Sequence, residues 1–270
     1  MGLSVIVTAY RSPETLRACV ERLRADTAVT QILIVDCSET PPNLPAPFER
    51  APIKTPVPAM RWSMLSRVTE PVVACLEGRC VPPPGWGAAI LEAHAKHPTA
   101  KAIGGAVALG ANAGFVDEVV WLCEYAAFAP PLADAPANDI SGAHLSYKTE
   151  SLCRETDLLE SGAWETRIHL RWRGALRTIP LAIDFFNGMS FGTFLKQRLH
   201  YGRGYAVARG VSASYGFITP LLPFLLTART CRAARVKPAL LPALFLAHSA
   251  WSLGELLGYW FGASSEQHIY

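Results

Sequence analysis

The first third of the chain constrains the fold most, because it alternates strands and helices. Residues 3–8 are a short run of apolar and β-branched residues, which is typical of a strand buried on both faces. We expect Ser12 to cap a helix that begins at Pro13 and carries apolar residues at helical spacing, and residues 31–36 to form a second apolar strand. Two such strands joined by a helix make a right-handed parallel crossover. Because the alternation continues through residue 185, the sequence predicts an α/β sandwich.

Composition narrows the class of protein. The 270 residues suffice for one large domain, or for one domain plus an appendage. Hydrophobic residues make up 50% of the chain, and the net charge of +3 is too small to indicate nucleic-acid binding. The seven cysteines are scattered without a Cys-x-x-Cys pair, which argues against a zinc site and a disulfide framework. No basic-then-apolar leader opens the chain, so we expect no signal peptide and a cytosolic catalytic part.

Two apolar segments change the composition after Tyr205. Residues 211–228 carry no charge, and residues 239–262 carry Glu255 as their only charge at neutral pH. Both segments are long enough for a membrane helix, and the alternative is a pair of buried helices that cap a soluble domain. Between them lie four basic residues that suit anionic lipids, namely Arg229, Arg232, Arg235 and Lys237. The sequence therefore predicts one domain over residues 1–205 and a hydrophobic, helical, membrane-associated segment over residues 206–270.

The two apolar segments differ in how well they suit a membrane crossing. Pro220 and Pro223 bend the first segment and remove backbone donors, so we predict that it lies in the membrane interface or re-enters without crossing. The second segment carries small residues at four-residue spacing, and such a face lets another helix approach closely, unless its glycines merely loosen the helix end. We predict that this face docks on the first segment or on a second copy of the chain, as a homo-oligomer. The small residues are Ala250, Gly254, Gly258 and Gly262.

Acidic residues stand where two of the predicted strands end. An apolar, β-branched run ends at Glu77, and the second strand of the chain ends at Asp36. In an open α/β sheet the carboxyl ends of the strands open into the ligand crevice, so both carboxylates are candidate ligand contacts. The alternative for Asp36 is that it only caps the turn with Ser38. The end of the first strand supplies further candidates beside Asp36, namely Thr8, Ala9 and Tyr10.

Three further motifs follow in order along the chain. Glu77-Gly78-Arg79 precedes a Cys-Val-Pro-Pro-Pro-Gly-Trp turn, Trp164-Glu165 begins an Arg- and Leu-rich helix, and Gln-Arg198 comes shortly before His-Tyr-Gly-Arg203. With the N-terminal strands, these motifs resemble family 2 glycosyltransferases of the GT-A fold, in a membrane-associated subgroup with C-terminal hydrophobic helices. The resemblance implies an α/β fold with a GT-A-like mixed, mostly parallel sheet sandwiched by helices, plus a C-terminal hydrophobic helical segment.

The resemblance also implies a function. It predicts an inverting glycosyltransferase that moves a sugar from a nucleoside-diphosphate sugar to a hydroxyl, and the apolar C-terminal third indicates a lipid-associated acceptor at the cytoplasmic face of a membrane. Glu165 would be the base that accepts the hydroxyl proton, and the alternative is an ordinary helix-start glutamate. Arg198 and Arg203 would contact the diphosphate, or else anchor lipid headgroups. The resemblance implies as nucleotide-sugar-binding residues Thr8, Ala9, Tyr10, Asp36, Glu77, Arg79, Arg198 and Arg203.

The acidic motif departs from the family pattern at its third position. The family usually has Asp-x-Asp, which would share Mg²⁺ or Mn²⁺ on the diphosphate, whereas this chain has Glu77-Gly78-Arg79. Either Glu77 alone holds a divalent cation, or the Arg79 guanidinium takes over part of the electrostatic task of the metal. A third reading makes Arg79 a solvated surface residue. The departure also supports an alternative function, a catalytically inactive GT-A-like module that acts as a membrane-bound binding or scaffold protein.

Overall fold

The chain forms two compact units in the computed structural model, which describes residues 2–44, 46–53, 55–159, 164–209 and 212–262. The first, here called the sheet unit, comprises Met1–Ala111 and Phe128–Phe186. The second, here called the helical unit, comprises Asn112–Ala127 and Asn187–Tyr270. This division differs from the predicted boundary between residues 205 and 206. The segment Asn112–Ala127 and all residues from Asn187 onward belong to the same unit as the apolar C-terminal segment.

The sheet unit is built on a nine-stranded sheet in the described part of the chain. Its order is β3-β2-β1-β4-β8-β6-β9-β5, with β7 paired to β9. β8 runs antiparallel to β4 and β6, whereas β5 and β7 run antiparallel to β9, and the other six strands share one direction. The prediction of a mixed, mostly parallel sheet is thereby confirmed. The strands are β1 (Leu3–Ala9), β2 (Val29–Asp36), β3 (Glu49–Arg50), β4 (Val72–Glu77), β5 (Cys80–Val81), β6 (Ala102–Leu109), β7 (Ala135–Ala137), β8 (His144–Lys148) and β9 (Leu176–Phe185).

Three parallel strands end together at one edge of the sheet. β1 lies between β2 and β4, and all of its residues are buried, as its unbroken apolar pattern predicts. Ala9 is the register partner of Asp36 on β2, and Thr8 is the register partner of Glu77 on β4. Hydrogen bonding between strands therefore places both predicted acidic positions beside the end of β1.

Amphipathic helices cover the sheet. α1 packs against β2 and β5, α2 against β1 and β2, and α3 against β6 and β9. In α1 the apolar residues at helical spacing are buried and form its inner face, as predicted. The helices are α1 (Pro13–Arg24), α2 (Val57–Leu65), α3 (Trp86–Lys96), α4 (Phe115–Tyr125), α5 (Thr149–Cys153), α6 (Thr156–Leu159), α7 (Trp164–Arg171), α8 (Phe191–Arg209), α9 (Leu222–Ala233) and α10 (Leu241–Phe261), with 3₁₀ helices at Ala126–Phe128, Ala213–Leu221 and Pro238–Leu240.

In the helical unit, α8 and α10 approach so closely that their backbones touch. A Cβ atom added to Gly254 would lie 2.0 Å from the carbonyl oxygen of Leu199, and one added to Gly202 would lie 2.2 Å from that of Trp251. Gly258 likewise sits against α8. The prediction that this face docks on residues 211–228 was wrong for Gly254 and Gly258, because these glycines pack on α8, where Gly202 complements them. A homo-oligomer through the C-terminal helices stays a prediction.

The first apolar segment is broken into two helices. The 3₁₀ helix Ala213–Leu221 contains Pro220, and α9 begins one residue before Pro223, while Val211 lies outside the described residues. Among the described residues, a single helix, Pro238–Phe261, is long and apolar enough to cross a membrane. That the first segment does not cross stays a prediction.

Candidate functional site

A cavity of about 350 Å³ opens at the carboxyl ends of β1 and β2. Ala9 contributes the end of β1, Asp36 the end of β2, and Ser12 the residue that precedes α1. A proline-rich loop supplies the remaining wall. The position agrees with the rule that parallel α/β sheets bind ligands beyond the carboxyl ends of their strands. The lining residues are Ala9, Arg11, Ser12, Leu16, Asp36, Ser38, Glu39, Thr40, Pro41, Pro42 and Asn43.

Asp36 is buried at the wall of this cavity, with 1% of its side chain exposed. Its Oδ1 accepts a hydrogen bond from the Ser38 hydroxyl at 2.6 Å, so Asp36 does cap the turn with Ser38. Its Oδ2 accepts a hydrogen bond from the Arg50 guanidinium, which also donates to the Ser38 carbonyl oxygen. Arg50 is the register partner of Asp36 on the short strand β3. The sequence did not indicate Arg50, because a two-residue strand has no periodic signal.

Polar groups at the end of β1 take different roles. The Thr8 hydroxyl donates to the Leu76 carbonyl oxygen at 3.3 Å, so this side chain supports the sheet. The Tyr10 ring lies 5.0 Å from the Arg11 guanidinium, and partial burial raises the pKa of the Tyr10 hydroxyl. The Ser12 hydroxyl does not cap α1, contrary to expectation, and it has no hydrogen-bond partner among the described residues. Ser12 is therefore a polar group at the cavity that sequence reasoning missed.

Glu77 and Arg79 form an ion pair at the end of β4. The Arg79 Nε and Nη2 atoms donate to Oε2 of Glu77 at 3.2 and 2.8 Å. The two side chains are 17% and 16% exposed, and the Arg79 guanidinium lies 5.0 Å from the Phe185 ring. The reading of Arg79 as a solvated surface residue is therefore wrong.

Gly78 joins this ion pair to the end of β1. Its N–H donates to the Thr8 carbonyl oxygen at 2.7 Å. A Cβ atom at position 78 would lie 3.2 Å from side-chain atoms of both Ala9 and Leu16, and these two residues line the cavity. A side chain at position 78 would thus be crowded, and glycine keeps the Glu77 turn against the cavity wall.

Glu165 lies at the first turn of α7 and is ion-paired to a buried arginine. Arg61 Nη1 donates to Glu165 Oε1 at 2.6 Å, and Arg61 Nη2 donates to the Gly142 carbonyl oxygen at 2.8 Å. Arg61 is 1% exposed and Glu165 is 14% exposed. Burial alone would lower the pKa of Arg61, but the Glu165 carboxylate outweighs it and the pKa is raised, with a smaller contribution from Glu77. Arg61 thus contacts Glu165 directly and lies within electrostatic range of Glu77.

Arg61 was missed from the sequence, although a signal for it exists. It is a single charged residue inside the apolar run Ala-Met-Arg-Trp-Ser-Met-Leu on α2. A charge in such a run is rarely buried unless it is paired, so its presence indicates a buried acidic partner.

Arg198 and Arg203 belong to α8 in the helical unit. The Arg198 guanidinium lies 4.3 Å from the Trp251 ring, and burial lowers its pKa. Among the described residues no carboxylate lies within ion-pair distance of Arg198, and its Nε has no hydrogen-bond partner. Arg203 Nε donates at 2.8 Å to the carbonyl oxygen of Gly262, which follows α10. Both predicted phosphate contacts are therefore held by α10.

The described residues do not fit a divalent cation held by the protein alone. They contain no group of three or more His, Cys, Asp or Glu side chains that could hold a metal. Mg²⁺ and Mn²⁺ prefer several oxygen ligands, whereas Glu77 is the single carboxylate of its turn. The guanidinium of Arg79 occupies one of its oxygens and would repel a cation.

Comparisons with known proteins identify the fold. No protein-family model matches the sequence, and no curated protein matches it significantly. The structure is similar to residues 1–349 of Staphylococcus aureus TarS, with a TM-score of 0.53 and 12% identity over 96% of this chain and 90% of that one. It is also similar to the mannosyltransferase PcManGT from Pyrobaculum calidifontis in complex with GDP-Man and Mn²⁺, with a TM-score of 0.50 and 14% identity over 94% of this chain and 72% of that one. These neighbours are GT-A-type glycosyltransferases, and this chain has a GT-A-like fold.

Proposed function

We propose that this protein is a glycosyltransferase that moves a sugar from a nucleoside-diphosphate sugar to a hydroxyl group. One observation carries the proposal: the cavity beside Ala9 and Asp36 and the Glu77 turn lie at the same sheet edge of a GT-A-like fold. The cavity volume of about 350 Å³ lies in the range of small-molecule sites. The solved structure of PcManGT, which is similar in fold, is a complex with GDP-Man and Mn²⁺.

We assign the role of general base to Glu165. Its carboxylate accepts the proton of the acceptor hydroxyl as that oxygen forms a bond to the anomeric carbon. The bond from the anomeric carbon to the diphosphate oxygen breaks on the opposite face, so the sugar inverts and a nucleoside diphosphate leaves. The hydrogen bond from Arg61 to Oε1 orients this carboxylate, and we assign its Oε2 to the acceptor proton.

In this proposal, arginine side chains balance the negative charge of the diphosphate leaving group. Arg79 follows Gly78, which packs on two residues of the cavity wall, and its planar guanidinium suits phosphate oxygens. Arg198 is a buried cation without a carboxylate partner among the described residues, which leaves its charge available to an anion. Arg203 is the third candidate in this group.

The acceptor in this proposal is lipid-associated, and the protein acts at the cytoplasmic face of a membrane. The helical unit exposes large apolar side chains on the 3₁₀ helix Ala213–Leu221 and on α9. Arg229 and Arg232 on α9 are also exposed, so apolar and basic groups share one element, as in interfacial helices. The exposed apolar side chains include Phe217, Ile218, Leu221, Phe224 and Leu225.

A second candidate function is a catalytically inactive module that binds a nucleotide sugar at a membrane. It is favoured by one observation, since each proposed acid is ion-paired to an arginine. The pairs are Asp36 with Arg50, Glu77 with Arg79 and Glu165 with Arg61. A carboxylate held in this way is a weaker base unless substrate binding loosens the pair.

Release of nucleoside diphosphate separates the two candidates. Full-length protein is incubated with UDP-, GDP- and dTDP-sugars in vesicles of membrane lipid extract, and released nucleotide is measured. We expect lipid-dependent release that Glu165→Gln lowers about 10²-fold, with nucleotide affinity unchanged. Glu150→Gln, which changes an exposed ion pair with Arg154, is the matched control and should keep full activity. Nucleotide binding without release from any donor would establish the inactive module.

A further inference from the structure

We propose that Arg79 takes the place of a protein-bound divalent cation, so that the nucleoside diphosphate binds without metal. The inference rests on the proposed function and names how that site handles the diphosphate. It starts from the geometry of the Glu77–Arg79 ion pair, which stands where the resembled family has two acids.

The first step concerns charge. Two ionised acids carry a charge of −2, which a divalent cation balances. Here Glu77 and Arg79 balance each other, and the Arg61 guanidinium lies within electrostatic range of Glu77. A divalent cation at Glu77 would face two guanidinium groups, and this repulsion disfavours its binding. The neutral Glu77–Arg79 pair, in contrast, does not repel a diphosphate as two acids would, and its guanidinium can donate hydrogen bonds to phosphate oxygens.

The second step concerns the rigidity of Arg79. Its Nε and Nη2 atoms both donate to one oxygen of Glu77, and the Phe185 ring lies 5.0 Å from the guanidinium. With 16% of its side chain exposed, Arg79 has little conformational freedom left to lose. A cation that is already fixed binds an anion with a small entropic cost, which is the advantage a coordinated metal also offers.

The third step concerns position. Gly78 packs on Ala9 and Leu16, and both residues line the cavity. The turn that carries Arg79 therefore packs against two residues of the wall of the proposed nucleoside pocket. A diphosphate attached to a nucleoside in that pocket is the anion for which this arginine is placed. Glu77 then acts as a positioning residue for the guanidinium.

Calorimetric titration of UDP and GDP into the full-length protein tests the inference, in EDTA and in Mn²⁺. We expect wild-type affinity to agree within about twofold between the two buffers, because the protein supplies its own cation. Arg79→Gln should weaken binding of the nucleoside diphosphate about tenfold and leave the affinity for uridine and guanosine unchanged. Arg171→Gln, which breaks an ion pair elsewhere in the sheet unit, is the matched control and should bind as wild type.

Direct measurement of Mn²⁺ gives a second, independent readout. Electron paramagnetic resonance of free Mn²⁺ should show no binding to wild type and measurable binding to Arg79→Asp, which restores a second acid. Loss of nucleotide binding in EDTA that Mn²⁺ restores would overturn the inference, as would unchanged UDP and GDP binding by Arg79→Gln. If UDP, GDP, ADP, CDP and dTDP all fail to bind in both buffers, the proposed function itself fails, and this inference with it.

Discussion

Arg61 is the residue whose loss should have the largest effect on the site. It is 1% exposed and joins α2 to Glu165 and to the Gly142 carbonyl oxygen. Replacement by methionine fills the volume but leaves Glu165 mostly buried without its counter-ion. Removing one partner of a buried ion pair is strongly destabilising, because the other charge stays desolvated.

We therefore expect Arg61→Met to lower the free energy of unfolding by about 3 kcal/mol, as measured by urea denaturation. Arg61→Lys keeps the charge but cannot bond Glu165 and Gly142 together, so its loss should be smaller. Arg154→Met removes an exposed ion pair and should have little effect. A fully stable Arg61→Met variant would show that Glu165 does not depend on this contact.

The residues that sequence reasoning found and missed differ in one physical respect. Asp36 and Glu77 could be predicted, because the end of an apolar strand is a local signal. Arg61 and Arg50 could not be assigned as their partners, since pairing depends on the tertiary fold. Arg61 is 104 residues from Glu165 along the chain.

At the scale of elements, the glycine-mediated packing of α10 against α8 is the most specific contact of the helical unit. The four-residue spacing of small residues could be read from the sequence, but not the helix that it meets. Gly202 makes α8 the helix that α10 packs against, because only a glycine at this position allows the carbonyl of Trp251 to approach the α8 backbone. Small residues predict a close contact, whereas the partner depends on which helix offers a matching gap.

We expect Gly254→Ala to destabilise the helical unit by on the order of 2 kcal/mol, because its Cβ would lie 2.0 Å from the Leu199 carbonyl oxygen and force the helices apart. Gly204→Ala is the matched control, since a Cβ at this position of α8 meets nothing within 4 Å. This control should be neutral or slightly stabilising, because alanine favours a helix over glycine. Thermal unfolding in detergent measures both, and equal melting temperatures for the two variants would contradict the packing.

At the scale of the whole molecule, the proposed membrane association predicts the side of the membrane on which each part lies. The first apolar segment consists of a 3₁₀ helix followed by the 12-residue α9, and neither is long enough to cross a bilayer alone. We proposed that this segment lies at the membrane interface. If so, the basic residues that follow it stay on the same side as the sheet unit.

Two exposed cysteines can report this topology, Cys153 in the sheet unit and Cys231 at the end of α9. We expect a membrane-impermeant maleimide to label both from the same face of sealed vesicles. Cys153→Ser and Cys231→Ser variants assign each signal, so either residue serves as the control for the other. Labelling of the two cysteines from opposite faces would mean that the first apolar segment crosses.

The contacts of α10 have a consequence for how mutants of this protein are read. Trp251 stacks on Arg198, and Gly262 accepts a hydrogen bond from Arg203. The backbones of both arginines belong to α8, whereas the contacts that hold their guanidinium groups come from α10 and the residue after it. If these arginines bind the diphosphate as proposed, a substitution in α10 that touches no ligand should still shift both cations, and kinetics should register it as a fault in substrate recognition.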